Sequence, residues 1–133
     1  MPNRIIKESI RYSEDIDKLS AAEEVFFYRL IVNCDDYGRM DARIPILKSR
    51  LYPLKDNVKS SDIKRYLVKL FENKPEPLII LYEKNGIQYL QMTKWEKHQQ
   101  IRAKHSKYPG LNDAEKKLIS EDIMCNQLQS YLS

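Results

Sequence analysis

Glycine, cysteine and long apolar runs are scarce in this sequence of 133 residues, and each shortage excludes a class of protein. The three glycines stand far apart, so they cannot form the glycine-rich loop that cradles phosphates in nucleotide-binding enzymes. The two cysteines are also distant from each other, so a disulfide is not implied. No segment approaches the ~20 apolar residues of a membrane span, and the N-terminus lacks the apolar core of a signal peptide. We therefore expect a soluble, cytoplasmic protein.

Residue sets that would carry catalysis are missing as well. His98 and His105 do not share a metal-like spacing with either cysteine, which argues against a zinc site. Asp35, Asp36 and Asp41 are the only acidic cluster near a turn, and such a cluster in a basic protein raises the alternative of a metal-dependent nuclease. That chemistry needs further acidic or lysine partners, and turn formation explains the aspartates more simply. We expect neither an enzyme nor a cofactor.

Positive charge is plentiful, and it is concentrated in the middle of the chain. The net charge of +4 divides into −3 for residues 1–36, +9 for residues 37–107 and −2 for residues 108–133. A basic field of this kind favours a polyanionic partner. Charge alone does not determine a fold, so the elements that carry it have to be predicted separately.

Hydrophobic periodicity and turn signals divide the chain into four parts. These are an N-terminal arm (1–18), a domain (19–95), a basic extension (94–107) and a tail that could be helical from Asn112 or Asp113 (108–133). In the domain, Ser20 and Glu23 form a capping box that starts a first helix. Gly38 suits the left-handed conformation beyond the end of that helix. The link at 39–42 is long enough for a small strand.

Two further helices and a hairpin follow. The second helix begins near Pro45 and stops before Pro53. The third, at 61–72 behind Ser60 or Ser61 as a cap, has a continuous apolar stripe. Its members are Ile63, Tyr66, Leu67, Leu70 and Phe71.

Asn85-Gly86 between two apolar segments is a strong signal for a two-residue hairpin turn. This turn would pair Tyr82 with Tyr89 and place four side chains against the core, namely Ile79, Leu81, Leu90 and Met92. The order helix, short strand, helix, helix, hairpin is typical of winged helix-turn-helix domains. We therefore expect an α+β, mostly α fold, a winged helix-turn-helix with a two-stranded wing and a C-terminal helical or basic extension.

In this fold the second helix of the motif enters the major groove of DNA. The apolar stripe of the third helix implies that Lys64, Arg65 and Lys69 face outward. Lysine and arginine of the preceding helix would reach phosphates, and the hairpin tip would touch the adjacent backbone. The expected nucleic-acid-binding residues of the domain are Lys48, Arg50, Lys64, Arg65, Lys69 and Lys84.

The basic extension is a second cationic feature, in which only Glu96 opposes five positive residues. Its expected binding residues are Lys94, Lys97, Arg102, Lys104 and Lys107. Lysine and arginine commonly meet phosphates, while the interleaved glutamines and histidines can meet bases. A solvated linker is the alternative interpretation, and the sequence leaves both open.

Three segments carry a resemblance to a known family. They are MPNRIIKESI at 1–10, FYRL and NCDDYGR with DAR within 27–43, and Trp95 followed by KHQQIRAK at 97–104. Over roughly residues 1–109 the chain resembles the N-terminal region of DnaD-like replication proteins of phages and prophages of Gram-positive bacteria, also called phage replisome organisers. The resemblance implies a winged-helix module that binds origin DNA, and a separate C-terminal region that helps recruit helicase or its loader.

Such proteins usually continue beyond Ser133, so we expect either a fragment or a chain without the recruiting half. The leading hypothesis is a DNA-binding module for replication initiation, acting on duplex DNA in the cytoplasm of a bacterial host. One alternative is a protein-interaction or self-association module that uses the Tyr82/Tyr89 face of the hairpin, which leaves homo-oligomers open. Another is transcriptional regulation, the generic use of this fold. No metal or membrane partner is expected.

Overall fold

The computed structural model describes residues 3–99, 101, 104–110 and 117–118. The fold is α+β and mostly helical, with a small antiparallel sheet. After a 3-10 helix (Glu8–Tyr12), the elements are α1 (Glu14–Asp17), α2 (Ala21–Asn33), β1 (Arg39–Asp41), α3 (Ile44–Leu51), α4 (Ser60–Phe71), β2 (Ile79–Lys84), β3 (Ile87–Met92), α5 (Trp95–His98) and β4 (Lys117–Leu118). Within the described ranges, no helix has the length and apolar character needed to cross a membrane.

The first long helix, α2, starts at the predicted capping box. The Glu23 backbone N–H donates to the Ser20 hydroxyl oxygen at 3.2 Å, and the Ser20 backbone N–H donates to the Glu23 carboxylate at 2.8 Å. Gly38, in the turn beyond the helix, has φ +77°, which confirms the predicted left-handed conformation. The N-terminal arm contains the 3-10 helix and α1.

The second and third predicted helices, α3 and α4, are both present. Pro45 occupies the first turn of α3, as its fixed φ allows. The prediction that Ser60 or Ser61 caps α4 is wrong, since Ser60 is already helical and Lys59 is the N-cap residue. The Lys59 backbone N–H donates to the Asp62 carboxylate at 2.9 Å, so an acidic side chain in the first turn satisfies the end of this helix.

The sheet has β3 at its centre, with β1 and β2 on either side, and the two-residue β4 on the outer edge of β2. Tyr82 lies opposite Tyr89, which confirms the predicted hairpin register. Asn85 and Gly86 both have positive φ, as a type I′ turn requires. The pairing of β1 with β3 confirms the strand expected at 39–42. In the tail, the helical prediction is wrong at the two residues of β4, and its other positions beyond Gly110 lie outside the described residues.

One side of the sheet covers the hydrophobic core, as the alternation of the hairpin predicts. The four predicted side chains, Ile79, Leu81, Leu90 and Met92, are each no more than 3 % exposed. The helices meet them with buried apolar residues, among them Phe26, Leu30, Leu47, Ile63 and Leu70. We call this the helix side of the sheet, and the opposite side the outer side.

Candidate nucleic-acid interface

Two of the predicted binding residues, Arg65 and Lys69, are exposed and stand one turn apart on α4. The Arg65 guanidinium pairs with the Asp62 carboxylate and lies 6.0 Å from the centre of the Tyr66 ring. The Lys59 backbone N–H, followed by Arg65, holds the pKa of Asp62 below its usual value. The exposed side of α4 therefore presents a guanidinium and an ammonium on adjacent turns.

Lys64 does not belong to that exposed side, and the prediction that it faces outward is wrong. Its relative exposure is 2 %, and burial lowers the pKa of its ammonium group. The position lies one residue after Ile63 and three before Leu67, at the border of the buried stripe. A lysine stem can be covered by its neighbours at such a border. Reaching a phosphate from there would require local repacking of α4.

The last turn of α3 carries the two cations predicted to reach phosphates. Lys48 is half-buried and Arg50 is exposed. At the other end of the predicted surface, Lys84 is half-buried beside the exposed turn residues Asn85 and Gly86. Of these side chains, Arg50 is the most accessible to a partner.

Sequence reasoning missed two exposed cations, Lys55 and Lys59, in the connection between α3 and α4. Lys59 immediately precedes α4, and the N-terminal end of a helix favours anions. The signal that would have found them is the position of positive residues just before a predicted helix start. They extend the basic surface from α4 toward the preceding loop.

Near the start of the basic extension, Trp95 is buried against the N-terminal arm and the turn after α2. The indole N–H donates to the Asp36 carbonyl at 2.8 Å. The Arg4 guanidinium lies 5.3 Å from the centre of the indole ring and donates to the Asp36 carboxylate at 2.8 Å. This contact brings together residues from all three segments that carry the family resemblance.

The arm also binds the residues that follow Trp95. The Gln99 side-chain oxygen accepts from the Ile5 backbone N–H at 3.0 Å, and the Gln99 amide donates to the Ile5 carbonyl at 2.5 Å. The Lys7 ammonium donates to the Lys97 carbonyl at 2.9 Å. Gln99 is thus committed to a contact within the chain in this conformation, although its residue type suggested base contacts. Among the predicted lysines here, Lys97 is exposed and Lys94 pairs with Glu76 at 3.5 Å.

Residues 104–110, which we call the strap, return to cover the outer side of the sheet. Tyr82 is fully buried there, and its hydroxyl donates to the Pro109 carbonyl at 2.6 Å. The Tyr89 ring lies between two others, 5.7 Å from that of Tyr82 and 6.1 Å from that of Tyr108. The suggestion that the Tyr82/Tyr89 face offers a protein contact is therefore wrong for Tyr82, because the chain covers it.

A buried aspartate, Asp35, fastens the strap to the turn after α2. One carboxylate oxygen accepts from the backbone N–H groups of Tyr37 and Arg39 at 2.9 and 3.1 Å. The other accepts from the Ser106 hydroxyl and from the Lys107 backbone N–H, the latter at 2.9 Å. The first oxygen forms the turn that the sequence suggested. The second makes a contact that sequence reasoning missed.

The strap carries two of the predicted binding residues. Lys104 and Lys107 are exposed on it. Burial raises the pKa of the Tyr108 phenol, which follows Lys107, and the positive charge of Arg50 opposes that rise. The last predicted residue, Arg102, lies outside the described residues.

The remaining two aspartates of the acidic cluster are bound by arginines. Asp36 pairs with Arg4 at 2.8 Å, and Asp41 pairs with Arg43 at 2.6 Å. In the described part of the chain, no group of three or more His, Cys, Asp or Glu residues is arranged to hold a metal ion. The cluster is therefore organised by contacts within the protein, which agrees with its interpretation as turn-forming.

Comparison with family models, with curated proteins and with solved structures finds no match for this chain. Function is therefore inferred from the arrangement of charges and from the resemblance of the three sequence segments.

Proposed function

We propose that this chain is a non-enzymatic winged helix-turn-helix module that binds duplex DNA through α4, in a phage or prophage protein of replication initiation. The observation that carries the proposal is the exposed pair Arg65 and Lys69 on adjacent turns of α4, with a further exposed cation, Arg50, in the last turn of α3. The order α2, β1, α3, α4, β2, β3, with β1 paired to β3, supports assignment to the winged-helix class.

In this proposal α4 enters the major groove, which is wide enough for a helix. Arg65 exchanges its intramolecular partner Asp62 for a phosphate or a guanine edge, which an arginine can contact with two parallel hydrogen bonds. Lys69 contacts a phosphate as a flexible point charge. Arg50 and the hairpin tip at Lys84 contact the flanking backbone.

A role in replication initiation is supported by the resemblance to DnaD-like phage proteins. On this basis the partner is origin DNA in the cytoplasm of a bacterial host. Transcriptional regulation would use the same DNA contacts. A self-association module is less well supported, because Tyr82 is buried under the strap.

A salt titration of duplex binding tests the proposal. Fluorescence anisotropy with a labelled duplex of about two helical turns measures the association constant K at several salt concentrations. Log K should fall linearly with log salt, and the variant Arg65→Ala/Lys69→Ala should reduce the slope by about 1 to 2, since each phosphate contact contributes ~0.9 and Arg65 contacts either a phosphate or a guanine edge.

The chain offers a closely matched control in Arg11→Ala/Lys18→Ala. Both of these residues are exposed cations of the N-terminal arm, and each has an acidic partner three residues earlier, as Arg65 does. The control should leave the slope nearly unchanged. Absence of binding by the wild type at low salt, or an equal loss for both double variants, would refute the proposal.

A further inference from the structure

The two oxygens of the Asp35 carboxylate have separate partners. Oδ1 binds the backbone of the turn at Tyr37 and Arg39, and Oδ2 binds the strap at Ser106 and Lys107. Asp35 is 8 % exposed, so both sets of bonds are largely shielded from water. A carboxylate that accepts several N–H and O–H groups in a shielded position holds them more firmly than neutral contacts would. The strap is thus fastened at Ser106 and Lys107, close in sequence to both of its lysines.

The charged side chains of the strap itself are all cationic. No aspartate or glutamate occurs between Lys97 and Asn112. Lys104 and Lys107 are exposed, while the tyrosine of the strap, Tyr108, packs its ring near Tyr89. The strap therefore offers ammonium groups to a partner, and its aromatic ring contributes to packing within the protein. That combination fits a phosphate backbone better than unpaired bases, which require aromatic platforms for stacking.

We propose that the strap is a second phosphate-binding surface for duplex DNA, and that Asp35 is the positioning residue that holds Lys104 and Lys107 in place to form it. This inference rests on the DNA binding proposed above. In this proposal the strap adds a basic surface on the outer side of the sheet to that of α3 and α4. The same duplex contacts both surfaces.

The variant Asp35→Asn separates this positioning role from a simple effect of charge. Asparagine keeps one carbonyl oxygen for the turn, but it places an amide donor where the Ser106 hydroxyl and Lys107 N–H need an acceptor. Removing a negative charge should by itself strengthen binding to DNA. Release of the strap should weaken binding. The sign of the change therefore distinguishes the two effects.

The experiment uses the salt titration of duplex binding, with the full chain and four proteins besides the wild type. These are Asp35→Asn, Lys104→Ala/Lys107→Ala, the triple variant that combines them, and the charge-matched control Asp17→Asn, whose carboxylate is exposed on α1. The lysine pair should lower the salt slope by about 2, and Asp35→Asn should lower it by about 1 to 2. The triple variant should bind no more weakly than the lysine pair alone, because without its lysines the strap has no phosphate contacts left to lose when it is released.

Amide hydrogen exchange provides an independent measurement of the fastening. In Asp35→Asn the Lys107 amide should exchange faster, while amides of the α4 interior keep their protection. If Asp35→Asn fails to fold, the Lys104→Ala/Lys107→Ala variant still tests whether the strap binds phosphates, because both lysine side chains are exposed and neither is part of the core. An unchanged slope for the lysine pair, or a folded Asp35→Asn protein that binds as well as Asp17→Asn, would overturn the inference alone. A wild type that does not bind duplex DNA would overturn the proposed function and this inference together.

Discussion

Substitution of Gly38 by alanine should strongly destabilise the protein, because two separate costs meet at this position. Gly38 has φ +77°, a conformation that costs an L-amino acid roughly 1–2 kcal/mol. A Cβ atom at this position would lie 2.6 Å from Cδ2 and 2.7 Å from Cγ of Trp95. Those distances are too short for carbon atoms, so the indole or the turn must move.

The free-energy cost of displacing the indole follows from the contacts that surround it. Trp95 is 5 % exposed and donates to the Asp36 carbonyl, so its displacement disturbs both packing and a hydrogen bond. Overpacking of a buried site costs about 1–3 kcal/mol. We therefore expect Gly38→Ala to lower the free energy of unfolding by roughly 2–5 kcal/mol in total.

Gly86→Ala is the matched control, since Gly86 has φ +80° and a Cβ atom there would meet nothing within 4 Å. It should show only the backbone cost of roughly 1–2 kcal/mol. Urea unfolding followed by fluorescence measures both variants, and Trp95 is the only tryptophan of the chain. Equal losses for the two variants would refute the packing of Gly38 against Trp95.

Three further variants test separate parts of the structure. Lys64→Met should keep or raise the stability and leave the salt slope of DNA binding unchanged. Because burial lowers the pKa of Lys64, the wild type should gain stability relative to this variant as pH rises toward 10.5, which urea titrations would measure. Burial raises the pKa of Tyr82 from 10.0 to about 12, so the wild type should lose stability between these pH values. Tyr82→Phe should lose less stability, and chemical unfolding across that pH range measures both proteins. Ser20→Ala should cost ~1 kcal/mol by removing the capping box with Glu23. The exposed, non-capping Ser49→Ala should change stability by less than about 0.5 kcal/mol, and a thermal melt that ranks these two serine variants the other way would contradict the cap.

Local signals predicted much of the fold because their physical causes lie within a few residues. The capping box joins Ser20 to Glu23, three residues apart. Asn85-Gly86 sets the hairpin register because both residues accept positive φ. The α4 stripe predicted the buried residues Ile63 and Leu67 correctly for the same reason, since the helical period alone determines which side chains share a face.

The parts that escaped prediction depend on distant neighbours. The helical period predicts that Lys64 faces outward, but residues packed around the border of the apolar stripe cover it. The local sequence predicts a turn-forming role for Asp35. Nothing near it in sequence indicates its hydrogen bond to Ser106, which is 71 residues away. Because a buried carboxylate has two oxygens to satisfy, the turn accounts for only one of them. Recognising the open second oxygen could have prompted a search for a distant donor.

Mapping the surface of the protein that duplex DNA contacts is the most direct test of the proposed function. NMR spectra of the labelled protein, recorded as unlabelled duplex is added at low salt, report which backbone amides change environment. We expect the changes to concentrate on α4 around Arg65 and Lys69 and on the strap around Lys104 and Lys107. Unchanged spectra, or changes confined to the N-terminal arm, would contradict DNA binding through α4.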